Sequence, residues 1–347
     1  MVATRKVKKG ELIFSERPAV VGPYSRSVPQ CLQCFRMFGR GDLEDYRCTG
    51  CGYPMCGVEC SQGKYHTEEC PILARAAVNI TDLESLDTNY SAITVLRLLL
   101  LLEREREAEA LGGNVGGDEG EGEDYLLCLA ETLLHHNEER RLAQPEVWQF
   151  EEELMVHFLQ ETCQLAGRFS SQEIHAANGR IMMNATSLEL PEEGFGRGAG
   201  LFPVYAMMNT SCRNNTKSRV MPDHRVEIRA KTRIRPGEEI TNEYLRPETS
   251  TLLRRPLINT KWFFHCSCPR CRDPTEFGED YWHDELLLHC LLAGSHYGSL
   301  LCSARRCGGT LLSTDSLDNE SDWRCESCEG RLPAASVRWA EKYWSEE

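Results

Sequence analysis

The residues of this sequence best suited to chemistry are its thiols. Eighteen cysteines stand among 347 residues, many in close pairs such as Cys31/Cys34, Cys48/Cys51 and Cys325/Cys328. A pair separated by two residues chelates a tetrahedral ion well, whereas a disulfide framework does not require that spacing. Met1 to Gly10 is basic and polar with no apolar block after it, so no secretory signal is expected and metal is favoured over disulfides. Between positions 31 and 70 the ligand order is Cys31, Cys34, Cys48, Cys51, Cys56, Cys60, His66 and Cys70. Eight soft ligands suffice for two closed four-coordinate sites with no position left for water, which means structural zinc. Cys266, Cys268 and Cys271 offer three more ligands, one short of a tetrahedral site. Cys302 and Cys307 precede Cys325 and Cys328, with Gly308-Gly309 directly after the first pair. That arrangement is close to a zinc ribbon and predicts a fourth ion; the alternative is four reduced cysteines in a small helical cap. Cys128, Cys163 and Cys290 fall in helical patterns and read as core or semi-buried thiols.

The elements that must carry these ligands are only partly periodic. Hydrophobic content is 41%, enough for two or three compact units. The formal net charge of −14, made more negative by zinc-bound thiolates, argues against non-specific nucleic-acid binding and suits a basic protein partner. The longest apolar run, Ile93 to Leu102 with Arg97 inside it, is too short to cross a bilayer, so a soluble intracellular protein is expected. Leu12–Phe14 and Ala19–Val21 predict two short strands broken by Pro18. The finger region has little periodicity and must be held by metal rather than by a core. A helix capped by Thr81 is expected to run to Leu111, a flexible loop over Gly112–Asp124, and helical spacing through Leu126, Leu129, Ala130, Leu133 and Leu134. His135 and His136 read as solvent-facing helix residues. Another helix is expected from about Pro145 to Gly167, then a short one with a capping box of Ser170 and Glu173. Strands are expected from Ile181 onward, with Val226, Ile228 and Ala230 facing one way and Pro236-Gly237 turning before Ile240. Gly194, Gly196, Gly198 and Gly200 lack the strand-loop-helix context of a nucleotide loop and read as a flexible turn into a strand at Leu201.

Several segments carry a family resemblance. The eight-ligand order over positions 31–70 resembles a MYND finger. Asn209-Thr210-Ser211-Cys212-Arg213-Asn214-Asn215 resembles the Asn-His-Ser-Cys-x-Pro-Asn motif of SET domains, and Gly237-Glu238-Glu239-Ile240-Thr241-Asn242-Glu243-Tyr244 the later SET motif ending in the catalytic tyrosine. The Cys266/Cys268/Cys271 cluster is similar to the post-SET segment, and the Lys261-Trp262-Phe263-Phe264-His265-Cys266 run looks most like the arthropod SmydA branch. Together these resemble the SMYD family of SET and MYND proteins.

The resemblance implies an α+β fold: a SET-type β fold split by a MYND zinc finger and a helical insertion, with a zinc-binding post-SET cluster and a C-terminal zinc-ribbon-like or helical segment. The implied boundaries are 1–30 for the N-terminal part of SET, 31–70 for the finger and 71–177 for the helical linker and insertion. Core SET spans 178–247, post-SET 248–275 and the C-terminal segment 276–347. It further implies interleaved finger sites, Cys31, Cys34, Cys56 and Cys60 for one zinc and Cys48, Cys51, His66 and Cys70 for the other. Cys212 becomes the fourth ligand beside Cys266, Cys268 and Cys271. The implied reaction is methyl transfer from S-adenosylmethionine to a lysine of a histone or other basic protein, which demands in-line positioning more than a proton-transfer residue. Tyr244 is the implied catalytic hydroxyl; Asn184, Asn209 and Thr210 contact the cofactor and Phe264 packs on its adenine. The implied context is a monomer acting in transcription and chromatin, in nucleus and cytoplasm. Its finger takes a proline-containing peptide, with no sequence-specific nucleic-acid or membrane contact. Thr210 stands for the motif histidine, Asn214 for the motif proline, and Trp262 where other branches have tyrosine. The glycine-rich turn that family members carry before the segment matching Val2-Ala3-Thr4-Arg5, and most of their helical C-terminal domain, are not found. A short isoform or a truncated gene model would explain both. These departures support the alternative, a non-catalytic MYND adaptor that keeps the SET scaffold.

Overall fold

A computed structural model describes residues 1–23, 30–38, 46–76, 83–110, 130–189, 197–245, 251–272, 311–313, 322–325, 328 and 330–332. Thr81, the Gly112–Asp124 loop, Leu126, Cys128, Leu129, Gly194, Gly196, Cys290, Cys302 and Cys307 lie outside them. The chain forms two compact units, Met1–Met208 with Thr216–Glu238, and Asn209–Asn215 with Glu239–Glu347.

In the first unit, β1 (Leu12–Glu16) and β5 (Thr216–Val220) flank β6 (Val226–Ala230) in an antiparallel sheet. The period-two pattern of β6 buries Val226, Ile228 and Ala230 as expected. A second sheet places β4 (Arg197–Leu201) between β2 (Val20–Pro23) and β3 (Thr186–Glu189). Gly198 and Gly200 are therefore ladder residues of β4, not part of a flexible turn. A Cβ on Gly198 would sit 3.1 Å from the Gly22 carbonyl oxygen, and one on Gly200 2.8 Å from the Phe202 ring. Small residues are needed there by close packing.

Helix α3 (Leu83–Ala110) carries the core, after α1 (Val58–Ser61) and α2 (Lys64–Ala76) of the finger. From Ala92 to Leu102 its side chains are buried on every face, which marks a helix enclosed by its neighbours rather than one lying on a surface. Gly22 of β2 meets it so closely that a Cβ would fall 1.8 Å from Thr94 Oγ1. Among the described residues no helix is long and apolar enough to cross a membrane.

Three local expectations are corrected. His135 and His136 are not helical: they precede α4 (Asn137–Ala143), half-buried, with His136 in the left-handed region at φ 49°. The helix from Pro145 does not reach Gly167. After α5 (Pro145–Glu151) the chain widens into two π-helical turns, Glu152–Val156 and Phe158–Thr162, and leaves at Cys163. Gln164, at φ 58°, takes the left-handed role expected of the glycine. Cys163 itself is fully buried. Finally, α6 (Ser171–Asn184) extends past Ile181. Its Ser170/Glu173 capping box forms, and Ile174 and Ala177 continue a buried face to which Ile181 belongs, so strands begin only at Thr186.

One buried acid ties the sheets to the chain after β4. Glu16, 4% exposed, accepts N–H bonds of 2.8 Å from Val204 and Tyr205 at the start of α7 (Pro203–Ala206). Burial pushes its carboxyl up to about 7 despite those two donors.

The second unit contains α8 (Thr251–Trp262) and a small antiparallel sheet with β8 (Trp323–Cys325) between β7 (Leu311–Ser313) and β9 (Arg331–Leu332).

Candidate functional site

Two equivalent turns begin the finger. In the first, Phe35 N–H donates to Cys31 O at 2.9 Å with Phe35 at φ 62°; in the second, Gly52 N–H donates to Cys48 O at 2.9 Å with Gly52 at φ 77°. Each left-handed residue folds the chain so that both thiols of a Cys-x2-Cys pair point the same way. Cys60 lies on α1, while His66 and Cys70 share one face of α2 at a spacing of four. The result is two groups, Cys31/Cys34/Cys56/Cys60 and Cys48/Cys51/His66/Cys70, in each of which the donor atoms lie within 4.8 Å of one another. This is the interleaved grouping that the MYND resemblance implies. Separations of 3.5 Å for Cys34–Cys56, 3.1 Å for Cys56–Cys60 and 3.7 Å for Cys48–Cys70 lie at or below the ~3.8 Å edge of a tetrahedron with 2.3 Å zinc–sulfur bonds. Such crowding shares protons unevenly. The bond from Cys34 holds the Cys31 thiol down at about 4, while the reciprocal bond drives Cys34 upward. A divalent cation would stabilise all four sulfurs as thiolates.

Behind the second group stands an ion pair that sequence reasoning missed. His66 and Glu69 are both fully buried, with Nδ1 3.4 Å from Glu69 Oε1. Glu69 in turn receives Arg97 Nε and Nη2, each at 2.7 Å. Burial works against a charged Glu69, but Arg97 outweighs it and holds the carboxyl below the usual range. The available signals were an arginine inside the apolar run of α3 and a glutamate three residues after a ligand histidine.

In the second unit the two motif segments run side by side. Thr210 and Asn242 form a parallel bridge, Ser211 N–H donates to Asn242 O at 2.9 Å, and Asn242 N–H donates to Asn209 O at 3.0 Å. Asn215 clamps the pair: its Oδ1 accepts from Thr241 N–H at 2.9 Å and its Nδ2 donates to Glu239 O at 2.8 Å. Thr210 Oγ1 donates to Asn242 O and accepts from Tyr244 N–H, both at 3.2 Å. The residue replacing the motif histidine thus fixes the backbone of the candidate tyrosine. Tyr244 packs against Trp262 with ring centroids 4.7 Å apart, and Lys261 Nζ lies 4.4 Å over the Trp262 ring. The same unit gathers Cys212, Cys266, Cys268 and Cys271 within 4.8 Å. Cys212 is 4.0 Å from Cys266 and 3.5 Å from Cys271, and Phe264 packs on this cluster with Trp262. Bonds from Cys212, then Cys266 and Cys271, drive the Cys268 thiol far below its ordinary range.

Other expected contacts are differently engaged. Asn209 Nδ2 donates to Glu239 Oε1 at 2.7 Å. Asn184 belongs to the first unit, where its Nδ2 donates to Leu134 O at 2.9 Å and Arg180 O at 2.8 Å. Cys325 is buried at the end of β8 with its N–H bonded to Gly330 O at 2.8 Å, and Cys328 is exposed. These residues form strand and turn, while the remaining ribbon ligands lie outside the described residues.

Comparison with known proteins matches residues 1–245 to the SET domain family. The chain is 24% identical over 340 residues to "SET domain-containing protein SmydA-8, isoform B" of Drosophila melanogaster, covering 96% of this chain and 65% of that protein. It is 26% identical over 338 residues to "Histone-lysine N-methyltransferase ASHR1" of Arabidopsis thaliana, covering 94% and 61% respectively. "Protein-lysine N-methyltransferase SMYD4" of Homo sapiens matches at 26% over 167 residues, 47% of this chain and 18% of that protein. The chain spans less than two thirds of the length of these relatives. It belongs to the SET domain family and, within it, resembles the SET and MYND proteins.

Proposed function

We propose that this protein is an S-adenosylmethionine-dependent protein-lysine methyltransferase, acting on a lysine of a histone or other basic protein. The observation that carries the reading is the Tyr244–Trp262 pair in the same unit as the four-cysteine cluster. Its aromatic face already receives the Lys261 ammonium, so it suits the cationic groups of this reaction. S-adenosylmethionine would supply an electrophilic methyl group on its sulfonium. Tyr244, its backbone fixed by Thr210 Oγ1, would aim its hydroxyl at the transferring methyl. Trp262 would wall the path of the lysine amine, and the Cys212 centre would hold α8 and Phe264 in place. The protein's contribution is positioning and exclusion of water.

In this reading zinc fills the two finger centres and the Cys212 centre, with a fourth ion on Cys302, Cys307, Cys325 and Cys328. The order of elements is that of a SET fold split by a MYND finger and a helical insertion, with the finger taking a proline-containing peptide. Names of relatives such as "Histone-lysine N-methyltransferase" support action in the nucleus as well as the cytoplasm, in chromatin and transcription. The −14 charge supports a basic substrate over nucleic acid.

A second reading, a non-catalytic adaptor keeping the SET scaffold, is favoured by one observation: the amides of Asn184 and Asn209 are bonded to protein groups. Calorimetric titration with S-adenosylmethionine separates the two. Binding, with methyl transfer that falls at least tenfold in Tyr244→Phe while cofactor affinity holds, supports the enzyme. No binding by zinc-loaded protein selects the adaptor.

A further inference from the structure

Within the first unit, the Arg97 side chain is 1% exposed and that of Glu69 is fully buried. Removing two charges from water costs several kcal/mol per ion, so a buried pair is weak evidence of stabilisation by itself. What distinguishes this pair is where its remaining bonds end. Arg97 Nη1 donates to Val21 O of β2 at 2.7 Å, and Nη2 donates to Leu32 O, inside the first Cys-x2-Cys turn, at 2.9 Å. The Tyr65 ring covers the guanidinium at 4.9 Å. On the other side, Glu69 faces His66 Nδ1, which leaves Nε2, 3.7 Å from Cys51 Sγ, as the nitrogen that points among the thiols.

We infer that Glu69 and Arg97 are positioning residues for the metal centre of Cys48, Cys51, His66 and Cys70, and that they couple this centre to β2 and to the neighbouring cysteine turn. A carboxylate on Nδ1–H fixes the tautomer and orientation of a ligating imidazole. Here the carboxylate is itself held by a cation anchored on two backbone carbonyls from separate segments. A displaced Glu69 is therefore felt at the metal, at β2 and at Leu32 together. The inference rests on zinc occupying the finger.

The test uses the whole 347-residue chain. Zinc is first counted by elemental analysis; fewer than three ions in the unaltered chain would overturn the three-centre zinc reading, and fewer than two would overturn this inference with it. Given two or more, zinc transfer to the chromophoric chelator 4-(2-pyridylazo)resorcinol is timed in Glu69→Gln, which keeps the shape and one acceptor oxygen. One equivalent is expected to leave about 10–100-fold faster, with the rest unchanged. The d–d absorption of the cobalt-substituted chain should shift, and amide exchange at Val20, Val21 and Leu32 should accelerate as that ion leaves. Arg97→Met should do the same; if it does not fold, Glu69→Gln decides alone. Unchanged release from folded Glu69→Gln, faster release of all ions together, or loss of one ion without change in exchange would each overturn the coupling.

Discussion

The two groups within residues 31–70 and the Cys212 group both gather candidate zinc ligands, but they are assembled in opposite ways. The finger draws eight ligands from 40 consecutive residues, and two similar turns plus two short helices aim them. The Cys212 centre takes one ligand 54 positions before the next. That ligand sits on a segment that pairs with residues 239–244 through backbone bonds and the Asn215 clamp. Closing a longer loop costs more chain entropy, so a non-local group leans on that pairing more than the ligands within residues 31–70 do. The finger, conversely, depends on a buried ion pair reaching out to β2. Local ligands do not make a module independent of the fold around it.

The sharpest way to break this contrast is Cys212→Ser. It should remove one zinc from the chain and leave the two finger ions, at a cost on the order of 5 kcal/mol, part of the ~10–16 kcal/mol a structural zinc site can supply. Elemental analysis with urea denaturation reads both, and loss of finger zinc as well would erase the distinction. Next comes Arg97→Met, expected to cost about 3–5 kcal/mol because Glu69 is left buried without its guanidinium partner. Adding Glu69→Leu should recover part of that while leaving the zinc-release defect, which separates burial energetics from ligand positioning.

Metal-independent contributions set the scale. Glu16 titrates at about 7 in the folded chain against an ordinary 4.5. The folded state therefore holds its proton more tightly, so stability is full below pH 4.5 and falls as pH rises to 7, by about 3 kcal/mol. Glu16→Gln should flatten that window, measured as the difference between variant and unaltered chain in denaturation at several pH values. An unchanged slope would move the titration elsewhere. The smallest effect expected is Ser170→Ala, about 1 kcal/mol from the lost capping box of α6, with zinc content unaltered.

Much of this was legible in the residues. Cysteine spacing marked thiols that the fold gathers into groups, the Val226–Ala230 alternation marked β6, and the Ser170/Glu173 pair marked the start of α6. The misreadings share one cause. Gly198 and Gly200 looked like a turn because glycine also serves where another backbone or ring comes close. Gly167 looked like a terminator because nothing local signals that the helix widens and exits at Gln164. Arg97 looked only like an interruption in an apolar run, since its partner lies 28 positions away.

What the sequence determined by itself is therefore the local pairs of candidate ligands, because the approach of two cysteines separated by two residues is decided over a few bonds. It also carried the motifs that place the chain in the SET domain family. Tertiary structure decided which distant groups meet: Thr210 with Tyr244, Glu69 with Arg97, and Cys212 with Cys266, a meeting that spacing left open and only the family resemblance implied. Each of those meetings depends on burying or pairing groups far apart along the chain. Their free energy comes from the whole fold, and no window of sequence contains it.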